Sequence, residues 1–177
     1  MKKVPYKTII CTLVALCIVL SSMLIFRSYE KKQDEVRFMN HMYAELKDVS
    51  QEVDALLCKD APQEGCAESL VRLHCALHNA AEELENGYRF VADCIPSVAS
   101  FWFEEKAAQL SNHRQKFLTE QRALSAEGVA FLEELNSDMD ELITPLVGED
   151  QMNLNTELSI QQFSDAIFDF YNSRPRS

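Results

Sequence analysis

Glycine and proline are scarce in this 177-residue sequence, which contains 4 Gly and 5 Pro. Because all-β folds need many turn residues, this scarcity argues against them and favours helices joined by short loops. The sequence also lacks a nucleophile elbow, an oxyanion-hole glycine and a phosphate-binding loop. We therefore predict that the protein is not an enzyme and needs no cofactor.

Acidic residues are absent from residues 1–27, which carry Lys2, Lys3, Lys7 and Arg27 and hence a charge of +4. Since the whole chain has 17 basic and 28 acidic residues, the remainder has a net charge of −15. Phosphate backbones and anionic lipids repel a domain of that charge. We therefore expect no nucleic-acid partner.

Residues 8–26 contain no charge and nothing more polar than Thr and Ser over 19 positions. As a helix this run is about 28 Å long, the thickness of a bilayer's hydrocarbon core. The pattern fits both a cleaved signal peptide and a retained anchor. Cleavage requires a small residue at −3, and the sites around Ser21 and Ser22 have Val19 or Leu20 there, so we favour the anchor.

Four segments follow from this interpretation: a cytoplasmic tail (1–7), a transmembrane helix (8–26), a helical domain (27–172) and a disordered tail (173–177). Basic residues do not decide the orientation, because three lysines precede the apolar run and Arg27, Lys31 and Lys32 follow it closely. The cysteines do favour one orientation. An even number of them in the domain is typical of disulfides and of an oxidising compartment: Cys58, Cys66, Cys75 and Cys94.

We therefore predict a single-pass protein of the cell membrane with its N-terminus in the cytoplasm and its domain outside. Four cysteines allow three connectivities. We favour Cys58–Cys66, which would join the ends of two helices, together with Cys75–Cys94.

Helix 1 is predicted to continue from the membrane into the domain, since no Gly or Pro occurs between Pro5 and Pro62. Its apolar positions recur every three to four residues, at Val36, Met39, Tyr43, Leu46, Val53 and Leu57. Such a seam either packs inside the domain, which we favour, or pairs with a second copy in a homodimer.

Helix 2 is predicted to follow a loop at 59–65 and to end near Glu85, because Asn86-Gly87 is a typical helix terminus. Its apolar stripe comprises Cys66, Leu70, Leu73, Leu77 and Leu84.

Helix 3 is predicted to begin with Asp93 as its N-cap, to carry Pro96 in its first turn and to end near Ala123. It carries Phe101, Trp102 and Phe103 in succession, and these rings sweep about 200° of the helix surface. Either helix 3 packs between two neighbours, or one ring is exposed and anchors a partner. We take the three rings as candidate partner-binding residues.

Helix 4 is predicted to begin after an N-cap at Ser125 and to end before Pro145. Helix 5 carries its apolar positions at Ile160, Phe163, Ile167 and Phe170. The predicted fold is therefore all-α, with one N-terminal transmembrane helix followed by an extracytoplasmic bundle of four to five helices.

His74 and His78 lie four residues apart on helix 2, which places them about 6 Å apart on one face. Two imidazoles so spaced can hold a metal ion. The glutamate of the zinc-protease helix motif is missing here, where the sequence reads His-Cys-Ala-Leu-His. We treat the two histidines as weak metal candidates and favour a solvated pair.

The order of four segments resembles one known family: ELKDVSQEVDALL, RLHCALHNAAEEL, FEEKAAQL and ALSAEGVAFLEELNSDMDEL. With the basic start and the single anchor, residues 1–145 are similar to the membrane-proximal helical region of YpeB-type spore germination proteins. The resemblance implies a protein that supports a cortex-lytic cell-wall hydrolase without being an enzyme. The family's members continue into C-terminal PepSY-type domains, which have no counterpart in these 177 residues, and the family offers no catalytic set to carry over.

Two functions therefore follow from the sequence. The one we favour is a membrane-anchored extracytoplasmic scaffold that positions or stabilises a protein partner at the cell envelope. Such a scaffold could also form a homodimer through helix 1. The alternative is a helical-bundle sensor. Because only seven residues precede the anchor, a sensor would have to signal through a second membrane protein.

Overall fold

A computed structural model describes residues 6–58, 63–120, 124–148 and 153–174. Five α-helices account for most of them: α1 (Tyr6–Leu57), α2 (Gln63–Phe90), α3 (Ser100–Glu120), α4 (Ala126–Ile143) and α5 (Ile160–Ser173). Short 3₁₀ helices lie at Ser97–Ala99 and Thr144–Leu146. In the described ranges the only β pairing is an isolated bridge between Val147 and Leu154, so the all-α class is confirmed.

α1 is a single helix of 52 residues, about 78 Å long. Its predicted continuation beyond the apolar run is confirmed, and the side chains of residues 10–34 are all exposed. An 18-residue window of α1 has a mean hydropathy of 2.3, and none of that window is buried. By length and composition this helix can cross a membrane.

The domain half of α1 buries the middle of the predicted seam against helices of the same chain, whereas at its ends Val36 is exposed and Leu57 is half-buried. Its buried positions are the predicted Met39, Tyr43, Leu46 and Val53 and, beside them, Phe38, Met42, Val49 and Leu56. The buried stripe is wider than the seam because α1 packs against both α2 and α4. These positions are therefore part of the intramolecular core, and a homodimer through helix 1 stays a prediction.

α2 runs antiparallel to α1 and continues beyond its predicted end. Arg72 Nε lies 2.8 Å from Glu52 Oε1, and one turn before the end of α2 the backbone of Gly87 packs against the Phe38 ring. Gly87 therefore does not end α2 but allows it to pack closely against α1. The helix ends only at Phe90. The predicted leucine stripe is buried: Leu70, Leu73, Leu77 and Leu84.

α3 begins later than predicted, at Ser100, and Asp93 is not its N-cap. Ile95 precedes a proline, and a residue in that position is disfavoured in the α conformation. Pro96 itself has φ −79° and ψ 83°, which is not helical. Residues 91–96 therefore form a turn, and the predicted end of helix 3 near Ala123 lies outside the described residues.

α4 matches its prediction at both ends. The Ser125 side chain accepts a hydrogen bond of 3.1 Å from the Gly128 N–H, and the helix stops at Ile143, two residues before Pro145. α4 runs antiparallel to α3, since Lys116 Nζ lies 3.0 Å from Glu127 Oε2 near the start of α4.

α5 begins with a capping box in which Ser159 and Gln162 satisfy each other's backbone N–H groups. Its buried face connects three helices of the bundle. The Phe163 ring meets Phe38 of α1 edge-on at 6.0 Å, and the Phe170 ring meets Trp102 of α3 at 5.0 Å. α5 therefore lies across the end of the bundle at which α2 ends and α3 begins.

Candidate interaction surface

The three consecutive rings of helix 3 have different environments. Trp102 is 6% exposed and Phe103 is 1% exposed, whereas Phe101 is 63% exposed. Trp102 and Phe103 are therefore core residues, and their assignment to a partner-binding surface is corrected. Phe101 alone of the three is available to a partner.

A cluster of charged side chains fixes the orientation of α3. Lys106 Nζ lies 2.8 Å from Glu134 Oε1, 3.5 Å from Asp138 Oδ2 and 5.6 Å from the centre of the Trp102 ring. Burial raises the pKa of Asp138 although Arg174 and Lys106 act in the opposite direction. These contacts hold Trp102 inward and so direct Phe101, on the adjacent position, to the outside.

Arg174 joins the same cluster from the end of α5. One of its terminal nitrogens lies 2.8 Å from Asp138 Oδ1 and 2.9 Å from Glu141 Oε2, and its guanidinium stacks 4.5 Å from the Phe170 ring centre. The prediction of a disordered tail from residue 173 is therefore wrong at Ser173, which ends α5, and at Arg174. Residues 175–177 lie outside the described residues. We call Lys106, Glu134, Asp138, Glu141 and Arg174 the Asp138 cluster.

Further exposed apolar side chains lie on the segments that flank the turn at 91–96. Phe90 is 80% exposed and Tyr88 is 46% exposed at the end of α2, and Val98 is 42% exposed just before α3. Since α2 and α3 meet at this turn, these residues and Phe101 belong to one end of the bundle. We call Tyr88, Phe90, Val98 and Phe101 the α2–α3 corner.

The α2–α3 corner lies at the end of the bundle that is nearer to the apolar part of α1. Gly87 is level with Phe38, which follows Phe26 by 12 residues or about 18 Å of helix. Phe90 lies beyond Gly87 in the direction of Phe26, because α2 is antiparallel to α1. Exposed Asp93 and Glu104 add negative charge beside the exposed rings.

Sequence reasoning missed most of this surface. Tyr88 and Phe90 follow Asn86-Gly87, where the sequence predicts the end of helix 2, and Val98 lies in the 3₁₀ helix Ser97–Ala99, which the sequence predicts as part of helix 3. One signal in the sequence could have indicated an exposed surface: these apolar residues belong to none of the predicted stripes. The Asp138 cluster was missed because its members are 68 residues apart in sequence, from Lys106 to Arg174.

The predicted histidine pair lies on α2 with His74 half-buried and His78 exposed. Burial, then Arg114 and then His78 lower the pKa of His74, so the neutral imidazole is favoured there. Among the described residues no group of three or more His, Cys, Asp or Glu side chains is placed to hold a metal ion.

The predicted disulfides are not formed. All six cysteines lie in the described residues, and all six thiols are free. Cys75 and Cys94 are separated because α2 continues for 15 residues, about 22 Å, from Cys75 to Phe90 before the chain turns. Cys94 Sγ instead lies 3.7 Å from Ser164 Oγ on α5.

The other predicted pair is also open. Cys58 is exposed just after the end of α1, and Cys66 is half-buried against the core, where burial raises its pKa. These two cysteines therefore do not link α1 to α2. Since neither predicted pair is bonded, the cysteines give no support to an oxidising compartment.

No protein-family model, curated protein or solved structure shows a significant match to this chain.

Proposed function

We propose that this chain is a membrane-anchored scaffold that holds a protein partner close to the membrane surface. The observation that carries the proposal is the exposure of Phe90 and Phe101, two large apolar rings at one end of the bundle. Exposed aromatic side chains of this size are typical anchors of protein–protein interfaces, where they become desolvated.

The anchor is the apolar part of α1. Over residues 10–34 its side chains are all exposed, and lipid is the environment that satisfies the apolar ones. In this proposal α1 is retained and not cleaved, and the bundle is carried on an unbroken helix. The α2–α3 corner then faces the space between the bundle and the bilayer.

The localisation and the partner class extend the proposal. The domain is placed outside the cell membrane with residues 1–7 in the cytoplasm, which is the orientation in which it would meet an envelope protein. The resemblance to YpeB-type spore germination proteins suggests a cell-wall hydrolase as that partner. A net charge of −15 beyond residue 27 favours a partner with a basic surface.

Crosslinking of the full-length protein in native membranes tests this proposal. We expect one envelope protein to be captured by the wild type and lost from a Phe90→Ala/Phe101→Ala variant. A Val71→Ala variant is the matched control, because Val71 is also exposed but lies 17 residues, about 25 Å, before Tyr88 on α2. Equal capture by all three proteins, or capture of the chain by itself alone, would contradict the proposal.

The sensor function has one supporting observation, the continuity of α1 from the apolar run into the bundle core. A rigid helix of this kind transmits a displacement of the bundle to the membrane. In this alternative the bundle binds a small molecule and signals through a second membrane protein. A ligand-dependent rise in the thermal unfolding midpoint of the full-length protein, with no captured protein partner, would favour it over the scaffold.

A further inference from the structure

A groove of about 490 Å³ lies between α1 and the segment that leads into α5. Lys31, Lys32 and Glu35 line its α1 wall, and Glu157 and Leu158 line the other. Unlike the α2–α3 corner, this groove has charged groups of both signs. Its position immediately after the apolar part of α1 makes its height above a bilayer calculable.

Anchoring of α1 in a bilayer would bring the two lysines to the height of the lipid phosphates. Lys31 follows Phe26, the last residue of the apolar run, by five residues, or about 7.5 Å of helix. The headgroup layer on each side of the hydrocarbon core is about 5–7 Å thick. If residues 8–26 fill that core, the Lys31 and Lys32 ammonium groups are within reach of the phosphate layer.

On α1 the carboxylate of the groove lies further from the apolar run than the lysines do. Glu35 is one helical turn, about 6 Å, beyond Lys31 on α1, and only 22% of its side chain is exposed. The Lys31 Nζ to Glu35 Oε1 distance is 4.0 Å, which is long for an ion pair and leaves both groups able to bind a ligand. The charge order away from the membrane is therefore positive and then negative.

We propose that this groove binds the headgroup of a phosphatidylethanolamine molecule, with its phosphate at Lys31 and Lys32 and its ammonium at Glu35 and Glu157. In this lipid the phosphate is next to the glycerol and the ammonium is terminal, so its charge order complements that of the groove. The inference rests on the proposed anchoring of α1, which sets the height of the groove.

Two other headgroups fit less well. Phosphatidylglycerol has no cation for Glu35 and Glu157, and its negative charge is repelled by the acidic domain. Phosphatidylcholine has the same charge order, but its quaternary ammonium has no N–H groups to donate hydrogen bonds to carboxylates. A primary ammonium donates up to three such bonds, as a lysine does.

The test is native mass spectrometry of the full-length protein released from nanodiscs that contain equal amounts of the three phospholipids. We expect the wild type to retain phosphatidylethanolamine in preference to the other two. A Lys31→Gln/Lys32→Gln variant should lose about tenfold in this retention, as expected when charge-assisted contacts are removed. A Glu35→Gln variant should retain phosphatidylethanolamine and phosphatidylcholine equally.

Lys47→Gln is the control, since it removes one positive charge from α1 about 22 Å beyond Lys32. Equal retention of all three lipids by the wild type, or unchanged preference in the double lysine variant, would overturn the proposal. Anchoring is read separately from the incorporation of each protein into the nanodiscs. A protein that fails to incorporate refutes the anchor, whereas incorporation without lipid preference refutes only the headgroup site.

Discussion

The backbone of Gly87 in α2 lies directly against the aromatic ring of Phe38 in α1. A Cβ atom at Gly87 would lie 2.7 Å from Phe38 Cζ and 2.9 Å from Phe38 Cδ2, distances that real side chains do not adopt. The ring has little room to move away, because it is 4% exposed and meets the Phe163 ring edge-on. This contact sets the spacing of α1, α2 and α5 at the end of the bundle nearer to the apolar part of α1.

Gly87→Ala should destabilise the protein despite the better helix propensity of alanine. Overpacking a closed contact costs about 1–3 kcal/mol, against a propensity gain of about 1 kcal/mol. We expect a net loss of about 1 kcal/mol in the free energy of unfolding, measured by urea denaturation of the full-length protein in detergent. In a Phe38→Leu background the same substitution should cost less, and an equal cost in both backgrounds would show that the ring is not the obstacle.

Truncation of two adjacent aromatic residues of α3 should change the free energy of unfolding by very different amounts. Trp102→Ala removes a buried ring and should lower the free energy of unfolding by about 3–5 kcal/mol. Phe101→Ala removes an exposed ring and should change it by no more than about 0.5 kcal/mol. Thermal and urea unfolding of both variants check this, and a large loss in Phe101→Ala would place that ring in the core.

Removal of the central carboxylate of the Asp138 cluster should be costly. Asp138→Ala leaves Lys106 paired with Glu134, so no buried cation is left unpaired, and the loss of charge-assisted hydrogen bonds should cost about 1.5–3 kcal/mol. Glu141→Ala is the control, since the Glu141 side chain is 55% exposed and such pairs contribute about 1 kcal/mol or less. Similar losses of unfolding free energy in both variants would contradict a buried cluster centred on Asp138.

His74 should make the domain less stable in acid. Its folded-state pKa is below its ordinary value of 6.5, so the unfolded chain binds the proton more readily. The free energy of unfolding should therefore fall as the pH decreases from 6.5 through that lowered pKa. Urea unfolding at about pH 7.5 and pH 5 should show a smaller decrease for His74→Gln than for the wild type, and identical decreases would contradict the assignment.

The orientation in the membrane can be read from the free thiols. Cys58 and Cys75 are exposed on the domain, so a membrane-impermeant maleimide should label them in intact cells without prior reduction. A Cys58→Ser/Cys75→Ser variant should show most of that labelling lost. If the wild type is labelled only after the cells are lysed, the domain lies on the cytoplasmic side.

Several elements could be predicted from the sequence because their signals are local. Ser125 before the apolar positions of α4, and Pro145 after them, specify a helix by capping and by the loss of an N–H donor. The continuity of α1 follows equally from the absence of any helix-breaking residue between Tyr6 and Leu57. The apolar run from residue 8 to residue 26 likewise determined that α1 can cross a membrane, whatever the rest of the chain does.

Other features could not be predicted, since they depend on which segments become neighbours. Gly87 has the same local signal whether it ends a helix or admits a ring from another helix, and only the position of Phe38 decides between the two. The sequence allows Cys75 and Cys94 to pair, but in the structure α2 is long enough to keep them apart. The outward position of Phe101 depends on long-range contacts of Trp102 and Lys106 with α4 and α5, which no periodicity within α3 contains.

The sequence by itself thus determined the helices, the acidic domain and the apolar N-terminal run, because propensity, capping and hydropathy act over a few residues. Only the tertiary structure decided which rings are buried, which thiols stay apart and where charges meet. The physical reason is that burial and ion pairing depend on distances between residues far apart in the chain, such as the 2.8 Å contact between Asp138 and Arg174.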